Sequence, residues 1–355
     1  MSTPEATAFV STAALRHNAR LIRDRVATAA LLAVVKDDAY GHGRAAVIDV
    51  LLDEGVSAFG ALDLPGAIDV RRLAPTAMVF AWVFDSGDDL SEAIRGRIDI
   101  GVTDAAVLER VALASAKTGV QASIHLKLDT GLHRAGALPD EWDRFIGRAA
   151  ELEQSGRVIV AGLWTHLAEE SDEDDSRSIA EHLAGVSTAE AYGIRAAMVH
   201  VAASAASYAR ADARFDLVRV GAFLYGIAPG SGVGPAEVGL RPVMTLRAPI
   251  RGLRQQSGRT LAELPVGGAS GILADAAGNV TVAVGGSRVP VIAVGPARML
   301  VDVTGRDAAA GDTVTLFGDG SAGEPTLQEW ADAMGTIGEE IVTRLAVSIP
   351  RIVTD

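Results

Sequence analysis

Ionisable side chains are costly inside apolar segments, yet this chain ends several apolar runs on one. Lys36 ends the run 31–36, Lys127 and then Asp129 end 123–128 with Arg134 in the loop beyond, and His166 ends 158–166. Ser204 follows 197–201, and Arg219 with Gly221 closes 217–220. A lysine among apolar walls is destabilised in its charged form, so its pKa falls and the neutral amine attacks carbonyl carbon. That is the chemistry of Schiff-base formation. Taken alone, Lys36 reads equally as a lysine snorkelling from a strand end, and Arg219 as a charge paired with some acid inside the fold.

Positioning these groups requires a repeating framework, and the sequence has one. From about residue 12 to 230, β-rich apolar runs alternate with Ala/Leu/Arg-rich segments of helical period, the pattern of a parallel sheet covered by helices. The runs 31–36, 58–62, 78–82, 98–102, 123–128, 158–166, 197–201 and 217–220 predict an N-terminal TIM (β/α)8 barrel of the α/β class rather than an open doubly wound sheet. In such a barrel reactive groups collect at the C-terminal strand ends, where the residues named above stand. Within the βα repeat neither a GxGxxG fingerprint nor a P-loop is present. Beyond residue 230, short alternating runs at 245–253, 280–284, 289–294, 299–303 and 313–317 predict a second, mostly β domain. One helix is expected over 327–345, with Trp330, Met334, Ile337, Ile341 and Leu345 on its apolar face. The acidic run from Glu169 to Asp175 reads as a solvated loop, with a lid or a cation site as the sharper alternative.

Composition narrows the classes. A length of 355 residues suggests about two domains, and 49% hydrophobic with 22% charged residues describes a compact globular chain rather than a disordered one. Lys+Arg 32 against Asp+Glu 45 leaves a net charge of −13, a field that repels phosphate backbones and anionic lipid and argues against nucleic acid or a membrane surface as partner. Zero cysteines remove disulfides, thiolate nucleophiles and Cys-ligated zinc. With no signal-peptide pattern and no apolar run of membrane length, the expected location is the cytoplasm.

The segment Val34-Val35-Lys36-Asp37-Asp38-Ala39-Tyr40-Gly41-His42-Gly43 resembles the pyridoxal-phosphate (PLP) signature of the alanine racemases. The resemblance continues through Lys127-Leu128-Asp129-Thr130-Gly131-Leu132-His133-Arg134-Ala135-Gly136, Thr165-His166-Leu167-Ala168, Asp216-Leu217-Val218-Arg219-Val220-Gly221 and Leu224-Tyr225-Gly226. More weakly it reaches Gly335-Thr336-Ile337 and Ile349-Pro350-Arg351, so it spans about residue 9 to 352 in order. It implies a PLP-binding barrel over 10–232, a C-terminal β domain over 233–355 that takes in an N-terminal strand within 1–9, and a head-to-tail homodimer with shared active sites. It also implies an amino-acid substrate. By the same resemblance Lys36 is the Schiff-base lysine and the acid/base on one face of the substrate. Tyr40, Ser204 and the backbone around Gly221 form the phosphate cradle, His166 packs beside the cofactor ring, and Arg134 serves the cofactor phenolate and the substrate carboxylate. Lys127 matches a lysine that is often carbamylated to hold that arginine. Arg219 matches the arginine opposite the pyridine nitrogen, where a guanidinium that stays protonated weakens the ring as an electron sink.

Departures from the family pattern are as informative. The tyrosine that acts as second acid/base, within a Gly-Tyr-x-Asp-Gly turn of the C-terminal domain, is replaced by Gly268 in Gly267-Gly268-Ala269-Ser270-Gly271. A Met-Asp pair becomes Pro296-Ala297, a phosphate-binding tyrosine falls at Val347, the asparagine before Ser204 is Ala203, and Asp37 stands where a small uncharged residue is usual. Gly268 either opens space for a larger substrate or is a turn glycine at positive φ. Ser270, Asp275, His133 or a bound water are the candidates for a substitute base. Three readings follow: an amino-acid racemase or epimerase with an unassigned second base, a one-base PLP enzyme catalysing β-elimination or another biosynthetic step, and a non-catalytic PLP carrier.

Overall fold

The computed structural model describes residues 6–228 and 233–355, and the chain divides into two compact units. One comprises residues 22–36 and 52–221; the other comprises 1–21, 37–51 and 222–355. A short strand, β1 (Thr7–Ser11), precedes the first unit's eight. These are β2 (Ala30–Val34), β3 (Ala58–Ala61), β4 (Met78–Ala81), β5 (Asp99–Val102), β6 (Ala122–Lys127), β7 (Val158–Trp164), β8 (Met198–His200) and β9 (Leu217–Val220). They lie in the order β8-β7-β6-β5-β4-β3-β2-β9, with neighbouring strands parallel from β2 to β8 and between β2 and β9. Backbone bonds from Asp216 N–H to Val199 O and from Arg219 N–H to Ala202 O join the two ends, so the sheet closes into the expected barrel. Strands buried on both faces need apolar side chains at consecutive positions, which is why these segments read as continuous runs. Leu32, Phe59, Phe80 and Ile100 are fully buried within them, each worth about 1.5–3 kcal/mol of burial.

Among the described residues the second unit holds nine strands. Besides β1 these are β10 (Met244–Pro249), β11 (Gly252–Gln256), β12 (Arg259–Leu264), β13 (Thr281–Val284), β14 (Ser287–Val294), β15 (Met299–Asp302), β16 (Thr313–Phe317) and β17 (Arg351–Thr354), in the order β11-β12-β15-β14-β13-β16-β10-β1-β17. Chain ends meet here, because β1 lies antiparallel to β10 and parallel to β17.

Three expectations need correction. The run 245–253 is two strands: β10 pairs β16 as far as Pro249, which has no N–H to continue a ladder, and from Gly252 the chain pairs β12 instead. The helix over 327–345 is also two, Leu327–Met334 and Gly338–Thr343, because Gly335 at φ 65° terminates the first and Thr336 N–H turns back to Ala331 O. The acidic run is loop only over Glu169 to Ser171, and its other four acids are helical. Ser171 accepts the Asp174 N–H as N-cap of the helix Asp172–Ala191, whose first turn carries four acids that favour the positive end of its dipole.

Candidate active site

Lys36 follows β2 directly, after the Val35 N–H has extended that strand's pairing to Gly60 O at 2.8 Å. The next four residues, Asp37, Asp38, Ala39 and Tyr40, all have φ between 50° and 57°. Left-handed backbone costs an L-residue roughly 1–2 kcal/mol, somewhat less for aspartate, so this turn stores several kcal/mol. Its surroundings hold it. Asp38 accepts the Arg44 N–H at 2.8 Å, Arg351 Nε–H donates to Gly41 O at 2.9 Å, and a Cβ on Gly41 would lie 2.4 Å from Val342 O. His42 Nδ1–H donates to the Tyr40 and Ala39 carbonyls, and burial lowers that ring's pKa to about 4. Tyr40 is buried with its ring 4.9 Å from Tyr225, and burial raises its phenol's pKa, so it stays protonated. Strain kept this way marks a segment whose path the fold over-determines.

Arg219 on β9 organises the barrel end. Its terminal nitrogens donate to His200 Nδ1 (3.0 Å), His200 O (3.2 Å), Thr165 O (2.8 Å), His166 Nδ1 (3.2 Å) and Val201 O (3.0 Å). Burial lowers its pKa to about 9, which leaves it charged at neutral pH. An arginine only donates, so both histidines must present a lone pair at Nδ1 and carry their proton on Nε2. Burial and then the Arg219 cation lower His166 to about 3, so that ring is neutral. Among the described residues the Arg219 Nε–H is the one donor of its five without an acceptor.

Beside β9, Ser204 Oγ accepts the Gly221 N–H at 3.1 Å, and its own hydroxyl hydrogen meets no acceptor among the described residues. Lys127, buried with its ammonium 4.9 Å from the Trp164 ring, is brought down to about 8, first by burial and then by the Arg134 and Arg219 cations. Arg134 itself is exposed in a loop that Asp129 shapes by accepting the Gly131 and His133 N–H groups at 3.1 and 3.0 Å. Arg219, Arg134, Lys127 and Lys36 surround His166 electrostatically, and each disfavours charge on its ring. Sequence reading passed over His125 and His200. Their signal was parity, since His125 lies two residues before Lys127 on β6 and shares its face.

Two family descriptions divide the chain: "Alanine racemase, N-terminal domain" matches residues 10–229 and "Alanine racemase, C-terminal domain" matches 251–353. The chain belongs to the alanine racemase family. Alanine racemases of Streptomyces coelicolor and Salinispora tropica are 37% and 38% identical to it, covering 98% and 95% of this chain and 95% of each relative. Among solved structures, the alanine racemase from D-cycloserine producing Streptomyces lavendulae superposes with a TM-score of 0.96 at 32% identity, covering 100% of this chain and 98% of that one. The S. coelicolor enzyme gives 0.95 at 35%, covering 99% and 98%.

Within this alanine racemase fold the second unit brings near one another the segments that carry Gly268, Pro296 and Val347, three of the positions read from sequence as departures. Gly268 N–H donates to Gly295 O (3.0 Å), Ala269 N–H donates to Pro296 O (2.7 Å), and Ala346, next to Val347, donates its N–H to Ser270 O (3.2 Å). Gly268 is not a positive-φ glycine, and a Cβ there would meet nothing closer than 4.0 Å. The glycine that this turn requires is Gly271, at φ 89°, where a Cβ would lie only 2.1 Å from Arg344 O. Val347 is 97% exposed.

Proposed function

We propose that this protein is a PLP-dependent racemase or epimerase of amino acids, with Lys36 as the lysine that carries the cofactor and moves the α-proton on one face. The observation that carries the reading is the pair of donors left over at neighbouring strand ends, Arg219 Nε–H and Ser204 Oγ–H. They suit a ligand with one ring-nitrogen acceptor and a phosphate. When bound, PLP supplies a conjugated sink for the electron pair of the α-carbon to hydrogen bond. Arg219 would hold the ring nitrogen with its remaining N–H donor and would give it no proton, since the guanidinium keeps its charge. Ser204, bonded to the Gly221 backbone, would donate its hydroxyl hydrogen to a phosphate oxygen, and the family resemblance gives the Tyr40 hydroxyl the same role. His166 would pack beside the ring, with its proton on Nε2, away from Arg219. Arg134 binds carboxylate, a task for a planar fork of donors, and Lys127 steadies it, as a carbamate once its neutral amine has captured carbon dioxide.

The second acid/base is not the usual tyrosine, because Gly268 stands at that position and Pro296 beside it has no N–H to offer a substrate carboxylate. The same absence favours a second reading, a one-base PLP enzyme in which only Lys36 handles the proton. A homodimer belongs to the proposal, supported by bare Val347 beside the turn that carries Gly268. So do the barrel limits 10–232, the β domain 233–355 with the N-terminal strand assigned to 1–9, of which 1–5 lie outside the described residues and the described strand is Thr7–Ser11, and a cytoplasmic site of action.

The deciding experiment loads the protein with PLP and incubates it with L-amino acids in D₂O, following α-proton loss by NMR and handedness by chiral chromatography. Exchange with appearance of the D-isomer supports the racemase. Exchange with full retention of the L-form supports one-base chemistry, and failure to take up PLP refutes both.

A further inference from the structure

Arg219 and His200 are the visible end of a longer buried chain. His200 Nε2 lies 2.8 Å from His125 Nδ1, and His125 Nε2 lies 3.9 Å from the Asp99 carboxylate with no closer hydrogen-bond partner among the described residues. Both rings are fully buried, His200 stacked on Trp164 at 5.8 Å and 5°, and both packed against Phe80. A neutral imidazole has one donor and one acceptor. Because Arg219 only donates, His200 accepts at Nδ1 and must donate from Nε2. His125 then accepts at Nδ1 and must carry its own proton on Nε2, directed towards Asp99. The whole polarity is fixed from one end.

The backbone is shaped to permit this. Between Ile124 and His125 the pairing of β6 with β7 slips, so that Ile124 faces Val160 while His125 faces Gly162, leaving Ala161 as the extra residue of a bulge. Gly162 is needed opposite His125: a Cβ there would lie 2.2 Å from the His125 Nδ1 that receives the His200 proton.

We propose that His125 is a positioning residue of this site, holding His200 as its Nε2–H tautomer so that the Nδ1 lone pair stays on Arg219 and the guanidinium keeps one orientation, with Nε–H as its free donor. This rests on the reading of Arg219 given above. Without His125, the His200 ring is free to carry its proton on Nδ1, where it would face an Arg219 N–H donor to donor. Protonating His200 is no escape, since burial and the Arg219 cation hold its pKa well below the ordinary range.

The test labels histidine with ¹⁵N and reads ring tautomers from long-range proton–nitrogen spectra of the wild-type protein, with and without PLP. His125 and His200 are expected as neutral Nε2–H rings in both samples. Finding His200 as the Nδ1–H tautomer or as imidazolium overturns the proposal. His125→Asn keeps an acceptor near the Nδ1 position and should preserve the His200 tautomer and kcat for α-proton exchange. His125→Phe removes the acceptor and should mix the tautomers and lower kcat about tenfold with KM little changed. Equal behaviour of the two variants also overturns it. Should PLP fail to bind, the reading of Arg219 falls, while the tautomers of the protein without PLP still decide the relay.

Discussion

Placing a phenol at Gly268 by Gly268→Tyr tests the proposed loss of the second base most directly, and the structure sets both expected magnitudes. Backbone strain contributes nothing, because Gly268 lies outside the left-handed region, and its Cβ would stand 4.0 Å from Gly295 O and from Pro296. Replacing a glycine in permissive backbone lowers the entropy of the unfolded chain by about 0.4–1 kcal/mol, so stability should change by less than about 1 kcal/mol. Gly271→Ala is the contrast. At φ 89° and 2.1 Å from Arg344 O, that methyl needs the backbone to move, and a loss of about 3 kcal/mol or more is expected. For the rate, general acid/base groups contribute roughly 10²–10⁴-fold. Only the lower end, about 10², is expected for alanine racemisation, since Pro296 still lacks an N–H; that is a barrier change of about 2.7 kcal/mol. Thermal denaturation and chiral chromatography of the PLP-loaded variants give both numbers. A Gly268→Tyr protein as unstable as Gly271→Ala would refute this geometry of the turn, and one that is stable and PLP-loaded yet no faster would refute the assignment of position 268 as the lost base.

Further consequences concern single groups. Lys36→Ala should abolish the borohydride-trappable link between protein and PLP; a remaining covalent adduct would reassign the lysine. Lys127, lowered to about 8, is partly neutral near physiological pH, so a ¹³C carbamate signal should appear with labelled bicarbonate, grow as pH rises towards 8 and vanish in Lys127→Arg. His42 is lowered from 6.5 to about 4 by burial, so below pH 6.5 the unfolded chain takes up a proton that the folded protein refuses. Stability contributed above that pH is therefore lost as pH falls to about 4, a loss of about 3 kcal/mol, and His42→Asn should flatten that limb of the stability curve against pH.

The barrel was legible because most of its strands are buried on both faces, and burial on both faces writes a mainly apolar run whose polar terminus marks the C-terminal end. Lys36, Lys127, His166 and Arg219 could be found from sequence for that reason. The β unit was less legible. Short strands alternate, and nothing local says that the chain changes partners at Pro249 or that β17 will return beside β1. Gly335 did announce a helix end, but the apolar spacing across it outweighed one residue. Only the tertiary structure decided the rest, because each remaining feature depends on atoms far apart in the chain. Four left-handed residues after Lys36 are held by Arg44 and by Arg351, more than three hundred positions away. The segments that carry Gly268, Pro296 and Val347 are tied by backbone hydrogen bonds, Gly268 to Gly295, Ala269 to Pro296 and Ala346 to Ser270, that no pattern encodes. The proton on His200 is settled by Arg219 on one side and His125 on the other, three residues on three different strands. Sequence specified which groups were available; closure of the barrel fixed their protons and their directions.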